Sequence, residues 1–424
     1  MLTFIHKISW AIATTLIIVS SLYFSFQLKF LQCNFKQMIK NLFKKKEHKD
    51  SISSFQSLMM VLAGRIGVGS IAGVALSIHL GGIGSIFWMW TIGFLSAILS
   101  YIETYLAVSY KEKDQEHIYK GGPSYYIEKG LKNKKLAFLY SIFVLLANVI
   151  GFITIQANTI YKSTNQMITI SPYTVAIIMA TFVSFIIFGG VKRIASFLSK
   201  LVPIMTFLYI GTFLYILILH ISDVPSLFCN IIQDAFHLKP FFSSFLPMVI
   251  IGVQRGIFSN EAGLGTGAIA SSTIDSNDAK GQGFVQMLGI YITTMFICTA
   301  TSFVILLSPY RTLFLQDLNG IEITQFAFKY HLGNFGILVV YISVLLFSFS
   351  TILTSYYDGE SSLKYLKKKI TKVDLFLLKI GTIFLLFIGV LLPSTNLWNY
   401  VDVMVAYLAI INIYAMISLK DKIR

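Results

Sequence analysis

Apolar runs long enough to cross roughly 30 Å of hydrocarbon recur eleven times along the chain. They fall at about 8–31, 57–80, 83–109, 136–160, 173–190, 198–220, 243–270, 284–308, 333–357, 375–393 and 398–418. Runs of this length point to an all-α integral membrane protein of eleven transmembrane helices. The first run resembles a signal peptide in place and polarity. It is too long for an h-region and no small-residue cleavage site follows, so it reads as a helix.

Without that first run ten remain, which divide into two sets of five. An odd number per set turns the second set over in the membrane. The first member of each set carries a dense glycine cluster: Gly64 to Gly73 in one, Arg255 to Gly267 in the other. Each glycine weakens a helix by about 1 kcal/mol relative to alanine, so both runs are expected to unwind. In hydrocarbon such a break persists only where it lines a buried or wet cavity, and matched breaks in two inverted halves mark a transporter's central site. The predicted organisation is an extra N-terminal transmembrane helix at 1–31, a basic cytoplasmic segment at 32–56, and a first five-helix repeat at 57–220. An extracellular connection at 221–242, a second repeat at 243–418 and a cytoplasmic tail at 419–424 complete it.

Composition agrees with a lipid environment. The 424 residues are 55% apolar and 12% charged, about half the roughly 25% usual in soluble domains. The +15 net charge would suggest nucleic acid in a soluble protein. Here the basic residues gather on alternate loops, in the tract Lys36 to Lys49, the loop Lys111 to Lys135, the segment Lys364 to Lys372, and Lys420, Lys422 and Arg424. That asymmetry suits anionic headgroups and places the N-terminus outside and the C-terminus inside the cell membrane. Three scattered cysteines and seven scattered histidines supply no disulfide framework, zinc spacing or haem pairing, so no cofactor is expected. No nucleophile elbow or paired aspartates point to an intramembrane enzyme. Arg65, Arg255, Glu103 and Glu261 lie in or near spans, where an ionisable group needs a partner. Arg65 with Glu103, and Arg255 with Glu261, are the expected pairs.

The residues around the breaks resemble the alanine or glycine:cation symporters of the amino acid–polyamine–organocation superfamily. The matches include Gly67-Val68-Gly69, Ile71-Ala72-Gly73-Val74-Ala75, Leu80-Gly81-Gly82, Gly121-Gly122-Pro123, Ile187-Phe188-Gly189-Gly190 and Arg255 through Gly265, over about residue 55 to the end. The resemblance implies a leucine-transporter-like fold, two inverted repeats of five plus one extra helix. It also implies alternating-access symport of a small neutral amino acid such as alanine or glycine, with Na⁺ as coupling ion and H⁺ as the alternative. The chain departs from the family pattern at Ser70, where Asn is usual, at Ser355, where Trp is usual, and at Thr266-Gly267-Ala268, where Ser-Ala-Pro is frequent. A passive channel and a non-transporting, receptor-like member are the competing readings.

An amino acid zwitterion needs donors for its carboxylate and acceptors for its ammonium. The carboxylate is expected against Gly67, Val68, Gly69 and Ser70, and the ammonium against Phe258, Ser259 and Asn260. By resemblance Gln156, Asn158 and Ser355 line the same pocket. Val68, Ser350 and Thr351 are the expected cation ligands.

Overall fold

The computed structural model describes residues 2–44, 52–113, 119–238, 241–313, 318, 320–367 and 369–423. Residues 45–49 of the basic tract, Lys368 and Arg424 therefore lie outside the described residues. In chain order the helices used below are α1 (Leu2–Gln27), α2 (Phe35–Leu42), α3 (Ser54–Arg65), α4 (Ala72–Gly81), α5 (Ser85–Ser109), α6 (Pro123–Gly130) and α7 (Lys134–Asn165). They continue with α8 (Pro172–Ile187), α9 (Gly190–Leu219), α10 (Val224–Ala235), α11 (Leu246–Asn260), α12 (Thr266–Ser271) and α13 (Ala279–Leu306). The last four are α14 (Gly320–Leu332), α15 (Asn334–Leu366), α16 (Lys372–Leu391) and α17 (Ser394–Ser418). A short antiparallel hairpin, β1 (Glu112–Lys113) with β2 (Tyr119–Lys120), is the only sheet among the described residues.

Eight of these helices among the described residues are long and apolar enough to cross a bilayer: α1, α5, α7, α9, α13, α15, α16 and α17. Of the other expected crossings, one is the 16-residue α8. The remaining two are the glycine-rich runs, each of which is cut into a pair, α3/α4 and α11/α12. The connection expected at 221–242 contains α10, started by Pro225 in its first turn, and the basic segment contains α2. Starts follow local chemistry. Ser53 Oγ accepts from Gln56 N while Gln56 Oε1 accepts from Ser53 N, both at 3.1 Å, a reciprocal cap that fixes where α3 begins. Thr371 and Asp374 do the same for α16.

The contacts sort the helices into two groups. α3/α4, α5, α11/α12 and α13 pack on one another, as do α7, α8, α15 and α16. In each half the chain enters the first group, crosses to the second, then flanks the whole with one helix, α9 or α17. α1 lies along α17 and α5. The outer faces of α8 and α9 stay apolar, with Phe207 81% and Phe185 67% exposed, which only a lipid environment tolerates at this density.

On the lysine-poor face α14 is tied down by a histidine bridge. His331 Nε2 lies 3.0 Å from the Val304 carbonyl, which can only accept, so Nε2 carries the proton and Nδ1 accepts at 3.0 Å from His220 Nε2. His220 Nδ1 in turn faces Asp223 at 3.5 Å. Burial lowers the pKa of His331, the carbonyl bond opposes this, and the His220 charge lowers it further. Because the folded value lies below the unfolded one, the bridge contributes stability above about pH 6.5 and loses it as pH falls. The protection of α14 amides, taken relative to the intrinsic exchange rate at each pH, should therefore fall between pH 7.5 and 5.5. His331→Gln keeps a donor and an acceptor but cannot titrate, and should remove most of that fall; an unchanged pH response in the variant would refute the bridge as its origin.

Candidate functional site

At the first break α3 stops with Ile66 N bonded to Leu62 O, after which the chain makes one 3₁₀ turn, Val68–Ser70, and resumes as α4. The carbonyls of Ala63 and Gly64 thus lose their helical donors. α15 supplies replacements: Ser350 Oγ and Thr351 Oγ1 donate to Ala63 O at 3.2 and 2.9 Å, and Thr351 reaches Gly64 O at 3.4 Å. Both hydroxyls also bond back to Phe347 O of their own helix. From α7, Gln156 Oε1 accepts the freed Val68 N–H at 3.2 Å. The approach is close enough to require glycine. A Cβ on Gly67 would stand 2.5 Å from Thr351 Oγ1, and one on Gly69 would stand 2.8 Å from Phe258 Cδ1.

The second break follows Asn260. Glu261 adopts a left-handed conformation (φ 55°), and Gly263 (81°) and Gly265 (86°) follow it, so the chain turns sharply before α12. Neighbouring helices meet several of the polar groups of this loop. The N–H groups of Gly263 and Gly265 both donate to Glu103 Oε2 at 3.1 Å, Asn412 Nδ2 donates to Gly263 O at 3.0 Å, and Tyr140 donates to Leu264 O at 2.6 Å. Asn260 uses its own amide here: Oδ1 accepts from Ala262 N at 2.9 Å and Nδ2 donates to Thr294 at 3.0 Å.

The two breaks touch. Ser70 Oγ and Ser259 Oγ are 2.7 Å apart, Ser259 Oγ is 3.1 Å from Cys298 Sγ, and Thr301 donates to the Ser70 carbonyl at 2.7 Å. Phe258 lies over Gly69 and against Phe152 and Trp398, with ring centroids 5.3 and 4.9 Å away. Beyond that aromatic layer a vestibule of about 970 Å³ opens on the lysine-poor face; Ala72, Leu76, Arg255, Trp398 and Asp402 line its inner part. Phe258 and Trp398 thereby separate the breaks from the vestibule.

The intramembrane charges fall into place, one pair differently from expectation. Arg65, 1% exposed, donates to Ser100 at 2.9 Å and to the Gln286 carbonyl at 3.1 Å, and stands 3.8 Å from Glu103 Oε1, as the expected pairing requires. Arg255 does not meet Glu261. It forms a two-pronged pair with Asp402 of α17, at 2.6 and 3.2 Å, and stacks over Trp398. Glu261 lies past the last turn of α11 and is directed toward α12, where it accepts the Thr266 hydroxyl at 2.6 Å. α1 completes the Asp402 site: His6 Nε2 is 3.3 Å from the carboxylate, and Trp10 Nε1 donates to the Asp402 carbonyl at 2.9 Å.

Of the residues expected in the pocket, Gly67, Val68, Gly69, Ser70, Gln156, Phe258 and Ser259 come together at the breaks, with Ser350 and Thr351 beside them. Asn158 does not join them. Its amide ties α7 to the end of α16 through the carbonyls of Gly389 and Leu392, at 2.9 and 2.8 Å, and it borders only the vestibule. Asn260 is present but engaged in capping. Ser355 sits one helical turn beyond Thr351, buried, with no hydrogen bond among the described residues. Asp402, Trp398, Thr301, Asn412 and Cys298 were missed. For Asp402 a signal existed, an acid inside the run 398–418; the others carry none in their local sequence.

A profile described as the sodium:alanine symporter family matches residues 1–424. Among curated relatives, a protein of Bacillus subtilis named probable sodium/glutamine symporter GlnT is 34% identical over 420 residues, covering 98% of this chain and 87% of its own length. The sodium/alanine symporter AgcS of Methanococcus maripaludis is 32% identical, with 95% and 90% covered. The amino-acid carrier protein AlsT of Bacillus subtilis is also 32% identical, with 97% and 88% covered. Among solved structures, a manganese transporter of Eremococcus coleocola superposes with a TM-score of 0.56 at 12% identity, over 85% of this chain and 76% of that one, a likeness of fold alone. With a match along its whole length and two glycine breaks joined side to side, this chain belongs to the sodium:alanine symporter family of multi-pass membrane transporters.

Proposed function

We propose that the protein is a sodium-coupled symporter that carries a small neutral amino acid such as alanine or glycine into the cell by alternating access. The observation that carries the reading is the paired breaks, held together through Ser70 and Ser259 and lying behind the Phe258–Trp398 layer that borders the vestibule. The substrate carboxylate is assigned to the first break, Gly67 to Ser70, and the ammonium to the end of α11 at Phe258 and Ser259. The cation is assigned to the oxygens beside them, the Ala63 and Gly64 carbonyls with Ser350 and Thr351 and the nearby Val68 carbonyl. A donor set made only of oxygen suits a hard ion, which favours Na⁺ over a proton as the coupled species.

The same reading gives each charge pair a part. Arg65 and Glu103 form the scaffold beneath the breaks, and Arg255 with Asp402 is the latch between them and the vestibule. The contact order of the two halves supports an inverted 5+5 arrangement of eleven crossings, in which α8 and the two broken pairs also traverse the bilayer. With the N-terminus outside and the C-terminus inside, the vestibule faces the medium.

Reconstituted into proteoliposomes, the protein should accumulate labelled alanine or glycine above the external concentration only with an inward sodium gradient; equilibration without accumulation would mean a facilitator instead. Gly69→Leu, correctly inserted, should abolish that uptake, because even a Cβ there would stand 2.8 Å from Phe258 Cδ1 and 3.3 Å from Ser259 Cα, forcing the two breaks apart. Wild-type uptake by this variant would dismiss the site.

Thr351→Val keeps the shape and removes one oxygen. It should raise the sodium concentration for half-maximal uptake about tenfold, which corresponds to about 1.4 kcal/mol, with a smaller effect on the amino acid. An unchanged sodium dependence would show that the hydroxyl serves its own helix only.

For orientation, a cysteine at Ser171 should react with an impermeant reagent added outside intact cells, and one at Lys44 should not. Reaction at Lys44 from outside would reverse the assignment.

A further inference from the structure

On the lysine-rich face, away from both breaks, lies a second cavity of about 1020 Å³. Its walls are the β1–β2 hairpin with α6, the start of α7, and the junction of α15 with α16. Seven lysines line it against two glutamates. The acids present are already engaged: Glu112 pairs with Lys129 at 2.7 Å, and Glu128 accepts the Tyr365 hydroxyl at 2.5 Å. Just behind the wall, Glu360 takes Lys364 at 2.8 Å and Asp374 takes Lys367 at 2.5 Å.

Lys113 lies over the Tyr119 ring, which leaves Lys134 and Lys372, both exposed, without a hydrogen bond, ion pair or ring contact among the described residues. Each is the first residue of its helix, α7 or α16. A helix N-terminus carries roughly +0.5 of a charge, so a lysine there adds to the dipole where an acid would offset it. The uncompensated positive end of α7, two unpaired ammonium groups and the half-paired lysines beside them therefore converge on one concavity, while Asp374 offsets the end of α16. The Tyr125 and Tyr365 rings, 5.3 Å apart, form part of its wall.

We propose that this cavity binds a phosphate-bearing anion of up to nucleotide size. A single carboxylate would satisfy one lysine; several separated point charges in a space this large suit an anion with multiple phosphate oxygens or a doubly charged phosphate group. The helix α15 runs from Lys364 at this cavity to Thr351 at the first break, so an anion here bears on the same rigid element that carries the proposed cation ligands. The phosphate can come from a soluble nucleotide or from the headgroup of an anionic phospholipid at the bilayer surface.

The test uses the full-length protein in nanodiscs and does not depend on transport. In phosphatidylcholine discs, ATP and inorganic pyrophosphate are titrated separately, with binding read by thermophoresis; in a second arm, thermal stability is compared between phosphatidylcholine and phosphatidylglycerol discs. If the source is soluble, ATP or pyrophosphate binds saturably, more weakly at high salt, and the double variant Lys134→Gln/Lys372→Gln loses roughly tenfold in affinity. If the source is lipid, neither titrates, but phosphatidylglycerol stabilises the wild type by several degrees and the double variant much less. Lys420→Gln, on the same face outside the cavity, should match the wild type in both arms. The proposal is overturned if the double variant behaves as the wild type in both arms, or if Lys420→Gln weakens binding or stabilisation as much as the double variant does.

Discussion

A helix broken inside hydrocarbon leaves amide and carbonyl groups that water cannot reach, and each unsatisfied one costs several kcal/mol. Glu103 resolves the hardest instance of this in the molecule. One of its oxygens accepts two N–H groups from the loop after α11 and a third donor from Asn412, while the other faces Arg65. The carboxylate is thus an acceptor for the second break and the counter-charge of an arginine at the first.

The same constraint explains the traffic between the halves. Backbone groups freed in α3/α4 are met by α7 and α15, from Gln156, Ser350 and Thr351. Those freed after α11 are met by α5, α7 and α17, from Glu103, Tyr140 and Asn412. A broken backbone satisfied in this way is held by its neighbours in place of its own helix. Ser70 adds a particular feature. With a short hydroxyl it meets Ser259 directly, so the two breaks are joined by one hydrogen bond.

The extra N-terminal helix has a definable place in this scheme. Through His6 and Trp10 it holds Asp402, which in turn holds Arg255 over Trp398 and Phe258. Asp402 is 1% exposed, and breaking one side of a buried pair is strongly destabilising because the other charge is left uncompensated. α1 therefore acts as a support for the wall between vestibule and breaks as well as an added membrane crossing.

Hydropathy and glycine density, both local properties, were enough to locate the long helices and to place the two interruptions within a few residues. The pairing of Arg65 with Glu103 was also legible, because two ionisable groups in neighbouring apolar runs have few alternatives in lipid. Partner choice at a distance was not. Arg255 meets Asp402 across 147 residues rather than the nearby Glu261, and Asn158 caps the end of α16. Nor could any local pattern foresee that the first residues of α7 and α16 would border one lysine-lined cavity. The sequence alone determined which segments enter the membrane and where two of them cannot stay helical, since transfer energy and helix propensity are sums over adjacent residues. Which side chains then met was decided by the tertiary structure, because the rotation of each helix about its axis and the angle at which helices cross are set by packing between surfaces far apart in the chain.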